Sequence, residues 1–153
     1  MFCLEKMADI ERRPSNATTQ SNGAESHLTN TYQLKPDYVR KFNSKRATDI
    51  VRKLLEEHLE GHNYESLVEW RDEQSNNFTD WLASQIQTAI VQSKQFDEKY
   101  KYACHVQLVQ NCGAACKVKA ACFWDGDSDG KAENSYKSDT FVVLASVFAF
   151  YHY

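Results

Sequence analysis

The hydrophobic pattern of this chain changes period once, near residue 100, and this constrains the fold more than any other feature. Before that point apolar residues recur every three or four positions, and after it at every second position. A helix places i, i+3 and i+4 on one face, whereas a strand alternates between two faces. Helices followed by strands predict an α+β domain, with two N-terminal helices packed on an antiparallel β-sheet.

Ala47, Ile50, Val51, Leu54, Leu55, His58 and Leu59 line one face of a helix expected over about Ser44–Leu59. Ser44 is placed to cap its first amides, and Gly61 to end it in a left-handed turn. A second stripe runs through Leu67, Trp70, Phe78, Trp81, Leu82, Ile86 and Ile90, with a polar break at Gln74, and predicts one helix over about Leu67–Lys94. Strands are expected at Lys101–Gln110 and Cys116–Trp124, joined by a turn at Asn111-Cys112-Gly113. A short strand near Ala132–Tyr136 and a last strand, Thr140–Tyr151, complete the set. The last is apolar at almost every position, so both of its faces are expected to be covered.

Residues 1–30 read differently. From Pro14 to Asn30 the chain is mostly Ser, Thr, Asn, Gln, Gly and Ala. Such a segment buries too little apolar surface to offset its ordering entropy, so a disordered tail is expected over 1–30 and a domain over 31–153. Thr31–Phe42 is a connector anchored by Tyr32, Leu34, Tyr38 and Phe42.

A net charge of −3 excludes the basic footprint that nucleic acid demands. No apolar run reaches the roughly 18–20 residues that span a bilayer, so no membrane partner is expected. The start, Met1 to Lys6, turns charged too soon for a signal peptide. An intracellular chain is expected, with its five cysteines as free thiols. The sequons at Asn16 and Asn77 are then chance matches.

Three constellations in the sequence could carry chemistry. Asp125-Gly126-Asp127-Ser128-Asp129-Gly130 matches the first half of a calcium-binding EF-hand loop, but the position that needs a bidentate carboxylate holds Tyr136. Both flanks also read as strands, where an EF-hand needs helices. Cys112, Cys116, Cys122 and His105 suggest zinc, yet on one strand Cys116 and Cys122 stand roughly 20 Å apart, too far to share an ion. Cys104 and His105 are strand neighbours on opposite faces and cannot form a nucleophilic dyad. The residues thus point to binding, with no enzyme activity, metal or cofactor. Lys117 and Lys119 share one face of the second strand, where lysines guard an edge or flank an added peptide strand.

Cys122-Phe123-Trp124-Asp125, followed by Asp129-Gly130, resembles the C-terminal signature of the Tctex-type dynein light chains. The likeness extends through Lys101-Tyr102, Gln110, Gly113-Ala114, Ser146 and Phe148. Asn30-Thr31-Tyr32-Gln33-Leu34 and the ending Val147-Phe148-Ala149-Phe150-Tyr151 are similar to the Tctex domain-containing branch. Tyr136 departs from it, standing where a Trp is common, and Lys117 and Lys119 make the edge strand unusually basic.

The resemblance implies a non-catalytic light chain or adaptor without a cofactor, working as a strand-swapped homodimer. Cys116–Trp124 takes the position of the strand that crosses to the partner sheet, with Val118, Ala120, Cys122 and Trp124 at the dimer seam. A dynein intermediate-chain peptide is expected beside it, along Cys116, Lys117, Val118, Lys119, Ala120, Ala121, Cys122 and Phe123. Other dynein light chains or cargo are further partners that it implies. The implied setting is cytoplasmic and cytoskeletal, including cilia, in support of microtubule-based transport or ciliary motility. The competing reading from the residues alone is a small calcium- or redox-responsive regulator, using Asp125–Gly130 or the thiols.

Overall fold

The computed structural model describes residues 33–152 apart from Gln74 and Asn76, so the expected tail over 1–30 lies outside the described residues. Three helices, α1 (Ser44–Leu59), α2 (Tyr64–Val68) and α3 (Phe78–Gln92), precede three strands, β1 (Tyr100–Gln110), β2 (Gly130–Lys137) and β3 (Phe141–Tyr151). The strands form an antiparallel sheet in the order β1-β3-β2.

Helix α1 forms as its periodicity requires, burying Ala47, Val51, Leu55 and Leu59. Its cap lies one residue earlier than expected: the Asn43 side chain, rather than Ser44, accepts from the Arg46 amide at 3.1 Å. Gly61 takes the left-handed turn, at φ +81°.

The single second helix expected over Leu67–Lys94 is instead two. Asn63 and Ser66 form a reciprocal capping box that starts α2, three residues before Leu67. Among the described residues, the chain is irregular after Glu69 and becomes helical again at Phe78. The intervening run from Arg71 to Asn77 has no apolar anchor. Its Asp and Asn side chains compete for backbone groups: Asp72 accepts from the Glu73 amide at 2.8 Å. The break also lets Trp70 fold back onto Phe78 and Trp81, with ring centroids 5.6 and 5.1 Å away. In one continuous helix Trp70 and Phe78 would sit roughly 12 Å apart along the axis.

Strand β3 is the spine of the domain. Phe141, Val143, Ala145, Val147 and Ala149 are almost completely buried, while Val142, Leu144, Ser146 and Phe148 between them are only half-buried. One face is therefore closed and the other open, which corrects the expectation that both are covered. The closed face is sheltered by α1 lying over β2 and α3 over β1. Leu55, Leu59, Leu82, Ile86 and Ile90 complete this core, each contributing about 1.5–3 kcal/mol by leaving water.

The connector ends in Phe42, which packs on Phe96 at 5.0 Å and Tyr100 at 6.1 Å. Gly130 opens β2 directly against it: a Cβ there would meet the Phe42 ring at 2.5 Å. Gly130→Ala should therefore displace Phe42 and cost about 1–3 kcal/mol, read as a lower urea midpoint with an unchanged slope. An unaltered midpoint would mean that the ring yields freely.

Candidate functional site

The open face of the sheet is built by strand parity. Side chains at Lys101, Ala103, His105, Gln107 and Val109 of β1 share it with Val142, Leu144, Ser146, Phe148 and Phe150 of β3. Strand β2 adds Lys131, Glu133, Ser135 and Lys137. His105, Ser146 and Glu133 form one row across the three strands. Lys131 bridges Glu133 at 2.7 Å.

The expected hairpin between Lys101–Gln110 and Cys116–Trp124 does not form within the chain. Strand β1 pairs with β3 along its whole length. Asn111 then donates its amide to the Thr140 carbonyl at 2.9 Å, and its side chain reaches the Asp139 carbonyl at 3.1 Å. These bonds tie the end of β1 to the β2–β3 turn. Gly113, at φ +81°, turns the chain out of the sheet. Cys116–Trp124 carries no strand ladder here, and everything from Asn111 to Phe123 is exposed. Phe123 is wholly so, and Val118 is 48% exposed. The expected burial alternation along this segment is absent for the same reason: no second strand lies beside it to create an inside. Among the described residues, Gly113–Trp124 makes no backbone hydrogen bond.

Both ends of this segment are fixed. Beyond it, Trp124 packs on Phe148 and Phe150, at 6.3 and 6.0 Å between ring centroids. The Asp125–Gly130 loop follows. Asp129 accepts from the Tyr151 amide at 2.8 Å and the Asp125 amide at 3.1 Å. Asp125 accepts from the Asp127 amide and the Ser128 hydroxyl, each at 3.0 Å. The Tyr100 hydroxyl donates to the Ser128 carbonyl at 2.6 Å and accepts from the Phe42 amide at 3.1 Å. Burial raises the Tyr100 pKa further above neutrality, consistent with a hydroxyl that donates. Asp127 bridges Lys35 at 2.9 Å, and that hydrogen bond and charge hold its carboxyl below the usual range. The loop carboxylates thus bond to donors of the protein itself, and the loop lies between an irregular segment and β2 rather than between helices.

Between the open face and the segment lies a cleft of about 700 Å³. Of the residues singled out in the sequence, Cys116, Lys117, Val118, Lys119 and Ala120 line it, whereas Ala121, Cys122 and Phe123 do not. The opposite wall includes His105, which the sequence marked only as a zinc or dyad candidate, and Lys131, Glu133, Leu144 and Ser146, which no motif marked as lining a cleft. Parity along β3 carried the signal, since every second residue of that strand had to face away from the helices. Cys104 faces the core opposite Val147, and burial pushes its thiol up to about 11. It is a poor nucleophile there, and His105 points the other way.

The Tctex-1 family model matches residues 41–150, which take in all three helices, β1, β2, the unpaired segment and all of β3 but its last residue. The chain belongs to the Tctex-1 family. It is 32% identical over 124 residues to the Dynein light chain Tctex-type protein 2B of Danio rerio, covering 81% of this chain and 77% of the relative. Identity to the Bos taurus protein of the same name is 25% over 135 residues, with 88% and 82% covered. A Drosophila melanogaster Dynein light chain Tctex-type is 23% identical over 75 residues, or 49% of this chain and 68% of that one. Among the described residues of this Tctex-1 chain, no helix is long and apolar enough to cross a membrane.

The Tyr100 hydroxyl is what joins the connector, β1 and the loop in this Tctex-1 domain. Tyr100→Phe leaves the Phe42 amide and the Ser128 carbonyl without that partner, at a cost of about 1–3 kcal/mol. Amide hydrogen exchange at Phe42 should accelerate accordingly. Unchanged protection would show that water replaces the hydroxyl.

Proposed function

We propose that this Tctex-1 chain is a non-catalytic dynein light chain or adaptor. In this reading it dimerises and holds an extended peptide of a dynein intermediate chain, or of a cargo, beside Cys116–Trp124. The observation that carries the proposal is the segment itself: exposed, without backbone hydrogen bonds, and tethered at Asn111 and Trp124. Unpaired strand-length backbone beside an open sheet face is a template for pairing with another chain. Each hydrogen bond so formed contributes about 0.5–1.5 kcal/mol net.

A second copy satisfies the segment and the face together. The crossing strand pairs with the partner sheet, with Val118, Ala120, Cys122 and Trp124 at the seam, and the two-fold arrangement repeats the contact. The half-buried apolar residues Val142, Leu144 and Phe148 would then be covered on both sides of the spine. The peptide adds as a further strand along Cys116–Phe123, once per protomer, so a bivalent partner gains avidity. The names of the Tctex-type relatives support the motor assignment, and the setting proposed is the cytoplasm and its microtubules, cilia included.

Light scattering behind size exclusion should give a dimer that takes up two dynein intermediate-chain peptides. A dimer indifferent to the peptide would redirect the proposal to a cargo, and a monomer at micromolar concentration would overturn it. Val118→Asp places a charge on the crossing strand and should abolish dimer and peptide binding together. The helical circular dichroism should persist, because Val118 lies outside the core.

A further inference from the structure

We infer that the peptide held by this Tctex-1 domain is acidic, an extended segment with carboxylates at alternate positions. This rests on the peptide-holding reading above and adds the chemistry of the occupant. The chain as a whole has a net charge of −3, yet the face turned away from the helices has the opposite sign. Along Asn111–Phe123 the only charged residues are Lys117 and Lys119. The open-face positions of the sheet add Lys101, Lys131 and Lys137 against Glu133 alone. Glu133 is neutralised by Lys131 at 2.7 Å.

The neighbouring acids do not cancel this charge. Asp127 is paired with Lys35, whereas Asp125 and Asp129 keep their charge but stand in the loop, away from the open-face positions of the sheet and from the cleft lining. Asp139 lies in the turn beyond Lys137 and holds no open-face position of the sheet. Whether Cys116–Trp124 covers its own sheet or that of a second copy, Lys117 and Lys119 arrive with it, and the receiving face brings Lys101 and Lys137 in excess over the Lys131–Glu133 pair.

Spacing turns this charge into a pattern. Lys117 and Lys119 are two residues apart, on one side of an extended backbone and roughly 6–7 Å from each other. A strand added alongside repeats that spacing, so an acidic-x-acidic segment meets both ammonium groups. A basic segment would set like charges opposite one another, which opposes pairing. Such a field also selects partners and speeds their encounter.

The test uses the full chain and three fluorescein-labelled synthetic peptides on one Thr/Val-rich extended scaffold, with Glu, Gln or Lys at alternate positions. Anisotropy titration at low salt should show the Glu peptide binding about tenfold more tightly than the Gln peptide. That advantage should shrink at about 0.5 M salt. K117E/K119E should reverse the preference toward the Lys peptide with the solution mass unchanged. Lys137→Glu, which alters the sheet rather than the segment, should weaken the Glu preference in the same sense.

Equal binding of Glu and Gln peptides, or tighter binding of the Lys peptide, would overturn the acidic occupant and leave the peptide groove standing. The same holds if the lysines only guard the edge, since K117E/K119E would then leave the ranking of peptides unchanged. Binding of none of the three would overturn both this inference and the groove. A fall of K117E/K119E to monomer would place the lysines at the seam between copies, which also overturns it.

Discussion

Everything in this domain depends on the pairing of β3 with both of its neighbours. Phe141–Tyr151 is hydrogen-bonded to β1 on one side and β2 on the other. Its alternate residues from Phe141 to Ala149 are almost completely buried. A two-residue period leaves no freedom here, since shifting the register by one would put Val143, Ala145 and Val147 on the wrong face. The helices need that apolar surface to cover their own stripes, and the cleft exists because the same strand has a second face that they do not cover.

The dimension left open by this arrangement is the one on which the proposed peptide binding rests. A three-stranded sheet with helices on one side has an exposed face and two edges. Next to them the chain sends out a strand-length segment that finds no partner within the protomer. Its ends are held firmly, at Asn111 by the β2–β3 turn and at Trp124 by Phe148 and Phe150. A tether of this kind lowers the entropy lost when the segment pairs with another chain, because its ends are already placed.

The aspartate-rich loop shows how the same residue types serve different ends. In sequence it resembles half of a calcium site. In the structure its carboxylates cap amides of the loop and of β3, and its backbone is held by the Tyr100 hydroxyl. Its job in this fold is to fix the return of the chain from the free segment into β2.

Much of this was legible in the residues. The spacing of Ala47, Val51, Leu55 and Leu59 determined α1, alternation determined β1, and a continuous apolar run marked β3, because these patterns are local properties that neighbours in sequence impose. The Cys122-Phe123-Trp124-Asp125 signature pointed to the family. Three things were decided only in three dimensions. Trp70 leaves the helical line because it finds Phe78 and Trp81, a contact that periodicity does not register. Strand β1 pairs with β3 rather than with the nearer Cys116–Trp124, because burying the apolar face of β3 outweighs the short loop of a hairpin. Lys117, Lys119 and Lys131 line one cleft because strand order, not sequence distance, brings β2 and the free segment to the same face. Local pattern determines which elements form, and the competition of those elements for a single buried surface determines which of them is left unpaired.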